Sequence, residues 1–253
     1  MTAYPGTSTT TSRTGTTADA TSGVATRRPR PRGWALTGVA AAVAGIAGIA
    51  ASLESDGVYR PELQGDAAGI VEVMTGHVPQ LLAFHLSTML AVVLLPVVAA
   101  GLHRRLRSAV PDDSLLPVVA GAGLGLTAVA GLMGTALNTE FIFALGEPGL
   151  VVPEAVVMYG HWVGTVAWLW VGAGISGLAV AAAAFRYRAV PRWLGVVGVV
   201  LGGLTLLLGV SPLQYMAGFV GPVWLLVTML GFALGDRSAA AVTSLPKQGT
   251  ATA

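Results

Sequence analysis

Six long apolar runs divide this chain, and thirteen of its fourteen Lys and Arg residues fall in the segments on one side of them. The runs cover residues 34–53, 81–102, 116–137, 161–185, 194–210 and 218–234. Each is close to the ~20 residues that a helix needs to cross a ~30 Å hydrocarbon core. Arg13, Arg27, Arg28, Arg30 and Arg32 precede the first run. Arg104, Arg105 and Arg107 lie between the second and third, Arg186, Arg188 and Arg192 between the fourth and fifth, and Arg237 and Lys247 follow the sixth. The remaining connections carry only Arg60. Positive charge is retained in the cytoplasm, so the pattern predicts an all-α bundle of six transmembrane helices in the plasma (inner) membrane, with both termini cytoplasmic.

Composition agrees with that class. Hydrophobic residues make up 54% of the chain and charged residues 10%, and the mean hydropathy is +0.72. The pI near 9.3 does not imply nucleic-acid binding. The arginines hug helix ends, where anionic headgroups attract them, and no aromatic-interleaved basic face accompanies them. The expected partner is the lipid bilayer, with another membrane protein or a second copy of the chain as further candidates. Cysteine is absent, which removes disulfides, thiolate nucleophiles and zinc-thiolate sites. The excess of Ala, Gly, Val and Arg points to a high-GC bacterial genome. Residues 1–33, Thr-rich and then Arg-Arg-Pro-Arg-Pro-Arg, and residues 236–253 read as disordered cytoplasmic tails around a domain at 34–235. The first run is long for a signal peptide and ends without a small-x-small cleavage site, so it reads as a retained helix.

The two long connections opposite the arginines are acidic. Residues 54–80 hold Glu54, Asp56, Glu62, Asp66 and Glu72, and residues 138–160 hold Glu140, Glu147 and Glu154. Leu63, Ala67, Ile70, Val71 and Met74 recur at helical spacing, which predicts a short amphipathic helix on the outer surface, broken by Pro79. Pro96 should kink the second span. The second and third spans pass through His85, an arginine turn, and Gly125-Leu126-Thr127 with Gly131. The fourth and fifth pass through His161, another arginine turn, and Gly203-Leu204-Thr205 with Gly209. The pattern suggests a parallel repeat of helices 2–3 and 4–5 about an axis along the membrane normal. Small residues (Gly45, Gly48, Gly121, Gly125, Gly131, Gly134, Gly172, Ser176, Gly195, Gly202) predict close helix packing, because lipid offers no hydrophobic drive between helices. Gly172-x-Gly174-x-x-Gly177 matches the dinucleotide fingerprint by letter. It lies inside a span with no preceding strand and no free helix N-terminus, so the sequence predicts no nucleotide there.

No Asp, Glu, Lys or Arg lies within the apolar runs, which argues against ion-coupled transport and proton relays. No carboxylate pair or Ser–His spacing suggests hydrolysis. The remaining chemistry is an outer-end group of His77, His85 and His161 with Met74, Met89, Met133, Met158 and Met216. His85 with Met89 and Met158 with His161 have spacings that share a helix face. Imidazole with thioether suits copper(I) or haem b, and the candidate ligands are His85, Met89, Met158 and His161. The competing reading makes them interfacial and packing residues, with the His85 ring satisfied by a carbonyl or by Thr135 or Thr165. Trp168 and Trp170 are deep enough that one should point into the bundle.

Ala189-Val190-Pro191-Arg192-Trp193-Leu194-Gly195, opening the fifth span, and Gly221-Pro222-Val223-Trp224-Leu225 in the last resemble features of a family of bacterial six-helix integral membrane proteins classed as a domain of unknown function. The resemblance covers about residues 155–235 and implies a fold but no activity. The leading expectation is therefore a membrane protein without catalytic activity, binding a ligand, a lipid or a partner. A redox protein using the His/Met group and a passive small-molecule transporter are the alternatives.

Overall fold

The computed structural model describes residues 33–147 and 149–243; the expected tails at 1–32 and 244–253 lie outside the described residues. Among the described residues there is no strand and there are ten α-helices: α1 (Gly33–Leu53), α2 (Ala67–Gly76), α3 (Val78–Arg107), α4 (Leu116–Gly134), α5 (Asn138–Leu145), α6 (Pro153–Thr165), α7 (Val171–Tyr187), α8 (Arg192–Val197), α9 (Gly203–Gly209) and α10 (Ala217–Thr243). A 3-10 segment at Val166–Trp170 joins α6 to α7, and a π-helical turn at Gly198–Gly202 joins α8 to α9. Five stretches are long and apolar enough to cross a membrane: Gly33–Leu53, Val78–Arg107, Leu116–Leu145, Arg192–Gly209 and Gln214–Gly235. The apolar run at 161–185 is not one uninterrupted α-helix, because α6 starts at Pro153 and the 3-10 segment separates it from the shorter apolar helix α7. Helix α10 continues past Asp236, where the sequence suggested a tail.

Consecutive long helices are neighbours, and the last returns to the first. Helix α1 packs on α3, α3 on α4, α4 on α7, α7 on the Arg192–Gly209 helix, and α10 on both that helix and α1. Trp170, Trp224, Leu225 and Met229 fill the interior of this ring. Backbone polar groups must be satisfied within the segment in lipid, which favours helices throughout. Glycine then sets how closely they meet. A Cβ on Gly123 of α4 would run into the Gly172 carbonyl of α7, and one on Gly172 into the Gly123 carbonyl. Ser176 Oγ donates to the Ala120 carbonyl across the same interface at 2.7 Å. The three glycines of the fingerprint-like stretch serve three different packing contacts: Gly172 meets α4, Gly174 meets Leu206 of α9, and Gly177 meets Gly202 and the Trp224 ring of α10. Tryptophans use the same notches, with Trp34 over Gly101, Trp170 against Gly45 and Gly221, and Trp193 over Gly231. The Trp168 side chain lies outside the described residues.

Helix α4 packs as expected at Gly131 and Gly134 but not at Gly121 and Gly125. Gly123, Gly131 and Gly134 meet neighbours, while Gly125 has open space around it and Gly121 makes only ordinary contacts. Pro96 lies within α3, which remains helical through it. At the arginine end, α7 stops at Arg188 with φ 52 and ψ 30, and the Ala189 N–H donates to the Ala183 carbonyl at 3.1 Å. A left-handed non-glycine residue of this kind costs about 1–3 kcal/mol.

The acidic end is a helical cap with its own core, in which α2, the short helix expected in the first connection, is joined by α5 and α6. Ile70, Met74, Leu81, Phe84, Ile142, Leu145, Val156, Tyr159 and Val163 are buried together. Helix α2 starts where the Asp66 carboxylate accepts from Gly69 N–H at 2.9 Å, and it buries Ile70 and Met74 while packing on α6. The break before α3 falls at His77, whose ring Nδ1 donates to the Val73 carbonyl at 2.7 Å; Pro79 lies in the first turn of α3. Substituting Gly172→Ala should lower stability by about 1–3 kcal/mol by overpacking. Gly125→Ala should leave it unchanged or raise it by up to about 1 kcal/mol through helix propensity. Thermal midpoints of the purified protein in detergent check both, and a midpoint loss at Gly125 matching that at Gly172 would refute the assigned α4 face.

Candidate functional site

A partly enclosed cavity of about 540 Å³ sits at the acidic end where three separate stretches of the chain meet. The end of α1 supplies Ile49, Ser52 and Leu53, and the following turn supplies Ser55, Asp56 and Tyr59. Helix α6 supplies Gly164 and Thr165, and the approach to α10 supplies Pro212, Gln214, Tyr215 and Phe219. The lining is mostly apolar with a few polar groups, the usual make-up of a small-molecule site.

Two glycines one helical turn apart hold this wall in place. The 3-10 turn at Gly57–Tyr59 docks on α6, where a Cβ at Gly160 would overlap Val58 and one at Gly164 would overlap the Tyr59 hydroxyl. This small-xxx-small pair receives a turn instead of a helix. Tyr59 is more than half exposed overall, but its hydroxyl end is pressed on Gly164, and burial there raises its phenol above the ordinary value. The Tyr59 ring also meets the His161 ring edge-on, with centroids 5.5 Å apart and planes at 84°.

Polar accounting singles out Ser55. It is 2% exposed, and its Oγ has no hydrogen-bond partner. An unpaired hydroxyl at a buried position costs about 1–3 kcal/mol, so Ser55 is the least satisfied of the lining residues. The neighbouring hydroxyls are occupied: Ser52 Oγ donates to the Ile49 carbonyl at 2.8 Å and Thr165 Oγ1 to the His161 carbonyl at 2.8 Å. Asp56 binds Arg60 at 2.8 Å, which neutralises the one arginine at this end and raises its pKa above the ordinary value through that hydrogen bond.

The His/Met candidates fall into separate settings. His161 lies well inside α6 rather than at its start, is exposed, and keeps company with Tyr59. Met158, on the same helix, is 54% exposed. His85 and Met89 share α3, which packs on α1, α4 and α5, with α4 standing between α3 and α7. Thr135 Oγ1 lies 3.2 Å from Met89 Sδ and 3.0 Å from the Gly131 carbonyl, so neither it nor Thr165 serves the His85 ring. His85 Nδ1 is buried without a partner. Among the described residues no hydrogen bond or ring contact joins His85 to His161, and no three His, Cys, Asp or Glu residues gather as a metal group. Of the remaining aromatics, Trp162 Nε1 donates to the Gly134 carbonyl at 2.7 Å and ties the cap to the end of α4.

Sequence reading passed over Ser55, Asp56, Tyr59, Gly164 and Gln214. The signals available were the Gly160-xxx-Gly164 pair and, far from it in sequence, Arg60 among the acidic residues of the first connection. A double-mutant cycle tests the wall. Gly164→Ala should cost about 1–3 kcal/mol by displacing Tyr59. In a Tyr59→Ala background most of that loss should vanish, giving a coupling of at least about 0.5 kcal/mol in thermal midpoints. Additive losses would refute the docking. Comparison with protein-family models, with curated proteins and with solved structures gives no match.

Proposed function

We propose that this chain is a six-span protein of a bacterial plasma membrane that binds a small amphipathic ligand in the acidic-end cavity and has no catalytic activity of its own. The observation that carries the ligand reading is the largely apolar cavity of about 540 Å³ at the acidic end, which has a few polar residues in its lining. Ile49, Leu53 and Phe219 suit an apolar body, and Ser55, Asp56 and Gln214 suit a hydrogen-bonding head. Five spans are supplemented by residues 166–187, in which the 3-10 segment and α7 together approach the length of a crossing. The arginine turns then face the cytoplasm, and the exception, Arg60, is neutralised by Asp56. Tags at residues 20 and 250 should report cytoplasm and one at residue 64 the outside; an external residue 20 overturns the topology.

Native mass spectrometry of the full chain extracted from its own membrane tests the ligand. The wild-type protein should carry a small-molecule adduct that Ser52→Phe, which fills the cavity, loses without a fall in thermal midpoint. Equal adducts on both forms, or none on the wild type, would refute the proposal.

A second reading rests on the buried, unpartnered His85 Nδ1. In it His85 and Met89, with His161 or Met158 as further donors, hold copper(I) or haem b. That reading requires a copper content or a haem absorption band that disappears in His85→Ala, and a colourless, metal-free preparation excludes it.

A further inference from the structure

At the opposite end of the bundle a second cavity, about 480 Å³ and widely open, is lined by Arg105, Arg188, Ala189, Val190, Pro191 and Arg192. Half of its lining residues are arginines and none is a carboxylate. Ala189 and Val190 are buried and form an apolar floor, while Arg188 and Arg192 are exposed at its rim. On the α3 side the Arg105 guanidinium lies 5.9 Å from the Phe232 ring centroid, within cation–π reach.

Backbone geometry supplies the second, independent observation. Three described residues have positive φ, and two are glycines: Gly65 at 84 and Gly149 at 88. The third is Arg188. Helices that end in this conformation ordinarily use glycine, which carries no steric penalty there. A chain with 34 glycines nevertheless places an arginine at this strained point, and that arginine lines the cavity together with Arg192. Strain of this kind is a reason to look for function at the residue that bears it. Neither Arg188 nor Arg192 takes part in the Asp56–Arg60 or Arg107–Asp112 ion pairs. Both bring a guanidinium to the same cavity, and the planar forks of such groups match the oxygens of a phosphate.

We propose that this cavity is a binding site for a phosphate-bearing anion, held chiefly by Arg188 and Arg192. At the end of a membrane bundle, the natural source is the headgroup of an anionic phospholipid, because basic pockets between spans at this level select such headgroups. A soluble phosphate compound presents the same chemistry. The proposal is independent of the acidic-end cavity and of the direction of insertion.

The test uses the full chain in neutral detergent, offered equal amounts of phosphatidylglycerol and phosphatidylcholine and read by native mass spectrometry. The wild-type protein should retain the anionic lipid with roughly thirtyfold preference, the scale expected of two arginines near a headgroup. Arg188→Gly combined with Arg192→Gln should bring the preference close to unity. The Arg188→Gly change relieves the left-handed strain, so the thermal midpoint in anion-free buffer should not fall. In a second arm, inorganic phosphate is added without lipid. A midpoint rise with phosphate in the wild type alone, without lipid preference, assigns the site to a soluble phosphate compound, and lipid preference without that rise assigns it to the headgroup. No lipid preference together with no phosphate effect overturns the proposal. So does an equal loss of preference in Arg186→Gln, whose side chain lies outside the cavity, because the whole positive belt would then be acting.

Discussion

Backbone-to-backbone approach at glycine is the interaction on which the rest of this structure depends. Hydrocarbon lipid is as apolar as leucine, so burying one apolar face against another adds little stability inside a membrane. What separates the folded bundle from dispersed helices is the added dispersion attraction between closely fitting surfaces, together with the few hydrogen bonds that close approach permits. Gly123 and Gly172 bring α4 and α7 together until carbonyls occupy the space of a missing Cβ, and Ser176 then reaches the Ala120 carbonyl. Elsewhere the notch receives a ring, as where Trp170 lies against both Gly45 and Gly221. Each notch accepts a particular partner, so the set specifies which helices are neighbours as well as how tightly they pack.

This explains why the spans were legible in the sequence while their faces were not. The apolar runs and the arginine turns locate the helices at 34–53, 81–102, 116–137, 194–210 and 218–234 closely, because length and charge are one-dimensional signals. Rotational phase is different. A soluble helix advertises its buried side by contrast with its polar side, whereas a span is apolar all round and offers no such contrast. Gly121 and Gly125 were therefore as plausible as Gly123, and only the partner helix decides between them. The run at 161–185 misled for a further reason: α6 begins at Pro153 within the acidic connection, and the change to 3-10 geometry at Val166 leaves no mark in hydropathy.

The candidate site was hidden by a related limit. Its wall is drawn from residues 49–59, 164–165 and 212–219, none of which carries a motif, and the missing partner of Ser55 Oγ is no more visible there. Absence of a hydrogen bond is a tertiary fact. The histidines and methionines attracted attention because their chemistry is visible in the letters, yet His77 serves as a local cap, Met74 is a buried core residue, and Met133 and Met158 are exposed. Tyr59 is more informative than any of them. Its hydroxyl on Gly164 and its ring beside His161 link the first connection to α6, and Tyr59 and Gly164 both line the cavity.

The closure of the ring has a consequence for the order in which the protein can be completed. Met229 fills the notch at Gly38, and Trp170 lies between Gly45 and Gly221, so α1 keeps part of its inward face uncovered until α10 has joined it. Chains are made from the N-terminus, at a pace that leaves early spans waiting for later ones. Of the described helices, α1 is made first and is thus among the last to be fully packed. A ribosome stalled before residue 217 would leave a bundle with a lateral gap beside α1, a feature that quality-control proteases or chaperones in the membrane could recognise as unfinished.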